Sequence, residues 1–235
     1  MSRAEAISPD SCGAIDAPGL SAVVFDLDGT LIDSYGAITE CFNHACVSLG
    51  FEPRSEDEVR RLVGHGLESL MSDAVGSGQM LRAVRLFRHR YDEVCEERTQ
   101  LLPGAATTVA ALDRRGLALG VATNKPTGFA VRLLRALGLS PPIKVVHGPG
   151  ADIPPKPDPA MLLRVLHDLD VRPEDALFVG DMSVDVETAR RAGVRVWLVP
   201  TGSASPDDVA RAGADRVLPG LDGLPAALAG LSRSS

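Results

Sequence analysis

The sequence is poor in aromatic residues and in positive charge, and it has no long apolar run. Aromatic residues make up 4% of the 235 residues, so the core must consist mainly of Leu, Val and Ala. Lys and Arg number 24 against 31 Asp and Glu, a formal net charge of −7 that argues against non-specific binding of nucleic acid. No apolar run approaches the roughly 18 residues that a membrane span requires. We therefore expect a protein that binds neither nucleic acid nor membrane.

Two further absences concern the cysteines and the first 20 residues. The four cysteines, at positions 12, 41, 46 and 95, form no CxxC pair and have no histidine at zinc-binding spacing, so we expect reduced thiols. Residues 1–20 lack the apolar stretch of a signal peptide. They predict a disordered or loosely ordered extension on a cytoplasmic protein.

Short apolar runs that each end in a polar cluster alternate with helical patterns. Strands that alternate with helices of this length predict an α/β fold with a Rossmann-like, doubly wound parallel sheet. The predicted strands are 22–25, 117–122, 143–146, 176–179 and 194–199, and the predicted helices between them are 105–115, 127–137, 159–169 and 184–192. A helix from residue 206, a short strand near 215–218 and a helix near 224–231 complete the prediction.

The segment from residue 35 to residue 100 interrupts this alternation. It shows no convincing strand, and its predicted helices are 37–49, 55–62, 67–75 and 80–98. It is therefore interpreted as an all-α subdomain inserted after the first strand. The predicted division is an extension at 1–20, a core at 21–34 and 101–235, and the helical insertion at 35–100.

Polar residues follow four of the predicted strands or the loops after them. In a parallel sheet the carboxyl ends of the strands share one edge, where ligands bind, so these residues should converge. Several carboxylates at one place repel one another, and a hard divalent cation such as Mg²⁺ relieves that repulsion. The residues concerned are Asp26, Asp28, Thr123, Asn124, Lys156, Asp181 and Asp185.

Carboxylates beside a metal, a lysine and a hydroxyl indicate phosphoryl transfer. Asp26 is the predicted nucleophile, which forms an aspartyl phosphate and so divides the reaction into two displacements. Asp28 is the predicted general acid and base. Asp181 is expected to bind the metal, with Asp185 supporting it from the next helix. Taken alone, Asp185 could simply favour a helix N-terminus, and it is the joint appearance of these residues that favours catalysis.

The remaining members of the set are expected to hold the phosphate. Thr123 and the backbone N–H groups around Asn124 and Lys125 would bind phosphate oxygens at the start of the following helix. Lys156 would neutralise the charge that develops on those oxygens. Taken singly, Thr123 and Asn124 could be turn or cap residues and Lys156 a surface lysine.

On these motifs the chain resembles the haloacid dehalogenase superfamily of phosphatases. The matching segments are DLDGTL at 26–31, TN at 123–124, KP at 156–157 and GD at 180–181 with Asp185. The resemblance implies Mg²⁺ held by Asp26, the main-chain carbonyl of Asp28, and Asp181. It also implies that the helical insertion is a cap that closes over the site and contacts the substrate.

Within that superfamily, TNKP at 123–126, LPG at 102–104, KPDP at 156–159 and VGHGL at 63–67 are similar to the phosphoglycolate phosphatases. Gly64, His65 and Gly66 are therefore predicted substrate contacts, because glycines let backbone N–H groups approach a small carboxylate. The same three residues could instead form a turn between helices. Related enzymes often have other residues at the position of His65, which leaves the substrate open.

The resemblance leaves alternatives. A β-phosphoglucomutase-like phosphomutase or a pyrophosphatase would share this core, and nothing in the insertion separates them from a phosphatase of small phosphate esters. A non-enzymatic, receiver-like phosphoacceptor also uses clustered aspartates, Thr and Lys, but it lacks a helical insertion and a carboxylate placed like Asp28. Residues 35–100 could also form a partner-binding module. The sequence allows a monomer or a homodimer.

Overall fold

A parallel sheet of six strands forms the centre of the protein, whose computed structural model describes residues 19–231. In chain order, the strands of the protein are β1 (Ala22–Phe25), β2 (Ile32–Asp33), β3 (Gln100–Leu101), β4 (Ala118–Ala122), β5 (Ile143–His147), β6 (Ala176–Gly180), β7 (Arg195–Leu198) and β8 (Arg216–Val217). Residues 1–18 of the predicted extension, including Cys12, lie outside the described residues. Six of these strands form the sheet, in the order β5-β4-β1-β6-β7-β8, and every neighbouring pair in it is parallel.

Helices cover both faces of this sheet. In chain order, the helices are α1 (Tyr35–Ser48), α2 (Glu56–Arg60), α3 (Leu67–Val75), α4 (Ser77–Val94), α5 (Ala105–Arg114), α6 (Thr127–Ala136), α7 (Ala160–Asp168), α8 (Ser183–Ala192), α9 (Pro206–Arg211) and α10 (Leu224–Leu231). Alternate residues of a strand point to opposite faces, so Val23 and Phe25 pack with α5, α6 and α10, while Ala22 and Val24 pack with α7, α8 and α9. The predicted doubly wound α/β fold is confirmed.

The four helices α1 to α4 follow one another between β2 and β3. β2 and β3 pair as an antiparallel ribbon, with Asp33 opposite Gln100. The expectation that residues 35–100 contain no strand is therefore wrong at Gln100. Two-residue strands are too short to show the alternation by which a strand is recognised in sequence, and only their pairing across the insertion defines them.

The termini of the inserted helices also differ from prediction. Helix α4 begins at Ser77, before the predicted start at Met80, because Gly76 with φ of +78° lets the chain turn directly from α3 into α4.

Cys41, Cys46 and Cys95 are free and buried. Across residues 19–231, we find no helix that has both the length and the apolar character of a membrane span.

Candidate active site

Asp26 and Asp28 lie at the carboxyl end of β1. The Asp26 N–H donates to the Val179 carbonyl at 2.8 Å, which continues the pairing of β1 with β6 and leaves the Asp26 side chain at the end of the sheet, 8% exposed. The chain then turns at Gly29, whose φ is +85° and whose N–H donates to the Ile32 carbonyl at 2.9 Å. This turn keeps Asp28 at the same edge as Asp26.

Three buried aspartates form a cluster beside this turn. Asp26, Asp181 and Asp185 each place one carboxylate oxygen within 4.8 Å of the others. Burial raises the pKa of Asp26 to about 6, with the Lys156 ammonium acting in the opposite direction. Burial and the neighbouring carboxylates of Asp185 and Asp26 raise the pKa of Asp181 well above its usual range. Negative charge is therefore poorly compensated here by the protein's own groups.

The cluster has the properties of a site for a hard divalent cation. Asp181 is fully buried, and its Oδ1 accepts a hydrogen bond from Thr30 at 2.9 Å. Its Oδ2 is also buried and has no hydrogen-bond partner among residues 19–231. Since an unpaired buried carboxylate oxygen is costly, and since Mg²⁺ prefers carboxylate oxygens as ligands, the residues fit such an ion.

Lys156 lies between Asp26 and Asp185. Its Nζ donates to Asp185 Oδ1 at 2.7 Å and is 2.8 Å from Asp26 Oδ1. Burial opposes the charge on this lysine, but Asp185 and Asp26 outweigh burial and raise the pKa of Lys156. Asp185 Oδ2 accepts from the N–H groups of Asp181 and Met182 at 3.1 and 3.0 Å. Asp185, in the first turn of α8, therefore connects Lys156 to the backbone that leads from β6 into this helix.

Thr123 and Asn124 follow β4. The Thr123 N–H donates to the His147 carbonyl at 3.1 Å, continuing the pairing of β4 with β5. Asn124 Oδ1 accepts from the Lys156 N–H at 2.7 Å, and its Nδ2 donates to the Gly64 carbonyl at 2.8 Å. The Asn124 side chain thus joins the Lys156 loop to the loop between α2 and α3 in the insertion.

Lys125 is one of the residues of this site whose side chains the sequence did not single out. Its Nζ donates to both carboxylate oxygens of Asp28 at 2.8 Å, and Ser34 Oγ also donates to Asp28 Oδ1. Burial acts against the Lys125 charge, but Asp28 outweighs it and raises the pKa of Lys125. The TNKP motif contains this lysine, but the direction of its side chain depends on where β1 and β4 lie in the sheet.

A cavity of about 70 Å³ lies over these groups. Its lining includes the polar residues Asp26, Asp28, Thr123 and Lys156, and many of the other lining side chains are apolar. The apolar side chains include those of Ile38, Leu67, Leu70, Phe87, Phe129 and Met182.

The insertion loop 63–67 reaches the cavity through its glycines. Gly64 and Gly66 line the cavity. A Cβ at Gly64 would meet only the end of the flexible Met182 side chain, so it is the φ of +137° rather than a lack of space that disfavours other residues there. His65 is exposed and is not among the lining residues. The structure therefore brings Gly64 and Gly66 to the site but not the predicted contact His65. The positive φ values of +137° and +91° at the two glycines turn the backbone on either side of it.

Comparison with known proteins places the chain in a family. The model of the haloacid dehalogenase-like hydrolases matches residues 23–199. The chain belongs to this family. Among curated relatives of this hydrolase, the phosphoglycolate phosphatase of Cupriavidus necator is 36% identical over 88% of this chain and 93% of its own length. That of Rhodospirillum rubrum is 38% identical over 77% of this chain and 80% of its own length.

Solved structures agree with this assignment. A predicted phosphoglycolate phosphatase from Haemophilus somnus superposes with a TM-score of 0.83 at 26% identity, over 88% of this chain and 97% of its own. CbbY from Rhodobacter sphaeroides, solved in complex with phosphate, gives a TM-score of 0.76 at 26% identity, over 87% and 96%. The predicted family and the predicted class, a phosphoric monoester hydrolase resembling phosphoglycolate phosphatases, are confirmed. The receiver-like, non-enzymatic alternative does not hold.

Proposed function

We propose that the protein is a Mg²⁺-dependent phosphatase that hydrolyses a small phosphate monoester, with 2-phosphoglycolate as the best candidate, through an aspartyl phosphate on Asp26. The observation that carries the proposal is the cluster of Asp26, Asp181 and Asp185, whose oxygens lie within 4.8 Å of one another. Lys156 pairs with two of the three carboxylates, and all of this lies beneath a cavity sized for a small molecule. Relatives named phosphoglycolate phosphatase support the choice of substrate.

In the first step, a carboxylate oxygen of Asp26 attacks the phosphorus atom. The bond between phosphorus and the leaving alcohol oxygen breaks, and Asp28 transfers its proton to that oxygen. Lys156 and the Thr123 hydroxyl bind the phosphate oxygens as charge develops on them. The burial of Asp26 favours this role, because a poorly solvated carboxylate gains by sharing its charge in a covalent bond.

In the second step, Asp28 removes a proton from a water molecule. The water oxygen attacks phosphorus, and the bond between Asp26 and phosphorus breaks, which releases inorganic phosphate and restores the Asp26 carboxylate. Asp28 suits this exchange of protons because Ser34 and Lys125 hold its carboxylate at the cavity. Without a group in that position, water would have to attack unaided.

A divalent cation bound by Asp26, the main-chain carbonyl of Asp28, and Asp181 would supply positive charge opposite the phosphate oxygens. Asp185 would support this site by holding Lys156 and the backbone of Asp181. We further propose that residues 35–100 form a cap on a core of residues 21–34 and 101–235. Two observations support this division. Asn124 Nδ2 of the core donates a hydrogen bond to the Gly64 carbonyl of the insertion, and apolar side chains of the insertion line the cavity together with residues of the core.

The test is the release of inorganic phosphate from 2-phosphoglycolate, pyrophosphate and glucose 1-phosphate in parallel, with and without Mg²⁺. We expect hydrolysis of 2-phosphoglycolate with Mg²⁺ and none in Asp26→Asn, with the exposed Asp113→Asn as the matched control. Appreciable turnover by a folded Asp26→Asn protein would require another nucleophile. Preferential hydrolysis of pyrophosphate, or conversion of glucose 1-phosphate to its isomer, would replace the proposed activity with one of the two alternatives.

The cytoplasmic location and the choice between monomer and homodimer stay predictions. Fractionation of cells that produce the protein tests the first, and light scattering of the purified chain tests the second.

A further inference from the structure

The cavity contains two buried groups, each of which keeps a hydrogen-bond donor that the reaction proposed above does not use. One is Lys125, whose ammonium group carries three N–H donors and whose side-chain hydrogen bonds within residues 19–231 go to Asp28 alone. The other is Tyr91 of α4, which is 1% exposed and whose hydroxyl has no partner in that same range. Buried donors in folded proteins are nearly always paired, so two spare donors on one cavity indicate a ligand group.

The two residues lie next to each other although they come from different parts of the chain. Lys125 Nζ is 5.0 Å from the centre of the Tyr91 ring. The ring is held between Phe87, stacked at 5.5 Å, and Phe129, edge-on at 4.9 Å. Burial raises the pKa of Tyr91 to about 12, with Lys125 acting against it, so the hydroxyl keeps its proton and can donate it in a hydrogen bond.

The rest of the cavity restricts what this ligand group can be. Of the described residues that line the cavity, only Lys125 and Lys156 are cationic. Lys156 is paired with two carboxylates, Asp26 and Asp185. Lys125, within the described part of the chain, is paired with Asp28 alone, which carries a proton at the start of the proposed reaction and then leaves the Lys125 charge uncompensated. Much of the remaining lining is apolar and includes Ile38 and Leu70. A second phosphate would need more positive charge than one lysine supplies, whereas a single carboxylate matches one ammonium group and one hydroxyl.

We propose that Lys125 and Tyr91 form a subsite that binds the carboxylate of a phosphorylated short-chain acid and so determines substrate specificity. This inference rests on the phosphatase function proposed above and specifies its substrate class. The core supplies the cation and the insertion supplies the hydroxyl, so the subsite is complete only when both parts contact the substrate. An ester without a carboxylate leaves both donors unpaired, which weakens its binding.

The test compares two esters that differ only at this group: 2-phosphoglycolate, and ethyl phosphate, in which a methyl group replaces the carboxylate. The measured quantity is the ratio of kcat/KM for the two esters, which does not depend on how much of a variant is folded. We expect the wild type to prefer 2-phosphoglycolate, and Lys125→Met to lower that preference by roughly 10- to 100-fold, as loss of a charge-assisted hydrogen bond predicts.

Tyr91→Phe provides a second variant that keeps the ring and removes only the hydroxyl. It should lower the preference by about 3- to 10-fold, mainly through the KM for 2-phosphoglycolate. The matched control is Thr99→Val, which removes another buried hydroxyl without a partner, at a residue that does not line the cavity. This control should leave the ratio at the wild-type value.

The outcomes separate the subsite from the proposed function. Hydrolysis of both esters by the wild type with equal efficiency would overturn the subsite and leave the phosphatase. An unchanged ratio in Lys125→Met and Tyr91→Phe, even with a lower kcat for both esters, would also overturn it, because Lys125 would then only position Asp28. Failure of the wild type to hydrolyse either ester would remove the proposed function and this inference together.

Discussion

Gly29 offers a quantitative test of how tightly the candidate site is packed. A Cβ at this position would lie 2.7 Å from Asp181 Oδ2, from Gly202 Cα and from Tyr35 Oη. Its φ of +85° is almost the same as the +84° of Gly50, beside which a Cβ would meet no atom within 4 Å. Both glycines therefore have a positive φ that other residues adopt only at a cost, but they differ in the space available for a Cβ.

The two alanine variants should differ by the cost of crowding alone. A non-glycine residue in the left-handed region loses about 1–2 kcal/mol, and this is the whole loss expected in Gly50→Ala. Gly29→Ala adds overpacking, typically about 1–3 kcal/mol, so its total loss should be about 2–5 kcal/mol. At roughly 2–4 °C per kcal/mol for a protein of this size, the two melting temperatures should differ by several degrees.

The assay is unfolding in urea followed by circular dichroism, together with phosphate release from 2-phosphoglycolate. Gly29→Ala should also lose most activity, because the new methyl group must displace the Asp181 carboxylate or the backbone of Gly202. Gly50→Ala should keep wild-type activity. Equal losses of unfolding free energy in the two variants would show that the space around Gly29 is not closed and would refute the reasoning.

Three other predictions concern the chemistry and the contact between insertion and core. Asp28→Asn should lose most of the rate but still accept phosphate on Asp26, measured as phosphate bound to the protein; rapid turnover would show that another group transfers the proton. EDTA should abolish hydrolysis and Mg²⁺ should restore it, and activity that survives chelation would exclude a metal at the aspartates. Asn124→Asp should lower the unfolding free energy by about 1–3 kcal/mol, because an oxygen then faces the carbonyls of Gly64 and Lys156; an unchanged urea midpoint would contradict this.

Much of the core could be predicted because its signals are local. A strand buried on both faces reads as a continuous apolar run, and the parallel sheet then brings the ends of such runs to one edge. For this reason Asp26, Thr123 and Asp181, which are far apart in sequence, could be expected at one place before the structure was considered. Gly29 and its neighbours likewise indicate a turn at the end of β1.

The insertion was less predictable, because the positions of its side chains depend on how its helices pack. Successive residues of a helix are rotated by about 100°, so the helical pattern of residues 77–94 does not tell whether Tyr91 faces the site or the solvent. Similarly, the motif around Gly64 and Gly66 singled out His65, but the backbone turn leaves that side chain exposed. Burial against Phe87 and Phe129 decides the position of Tyr91.

The amino-acid sequence by itself determined the family, the α/β core and the set of acids, lysine and hydroxyl that the core brings together. It did so because strand ends and turns are encoded within a few residues. Only the tertiary structure decided that Lys125 contacts Asp28, that Asn124 joins the core to the insertion, and that Tyr91 completes the cavity. Each of these contacts joins segments that are distant in the chain, so its geometry follows from the packing of whole elements rather than from any local pattern.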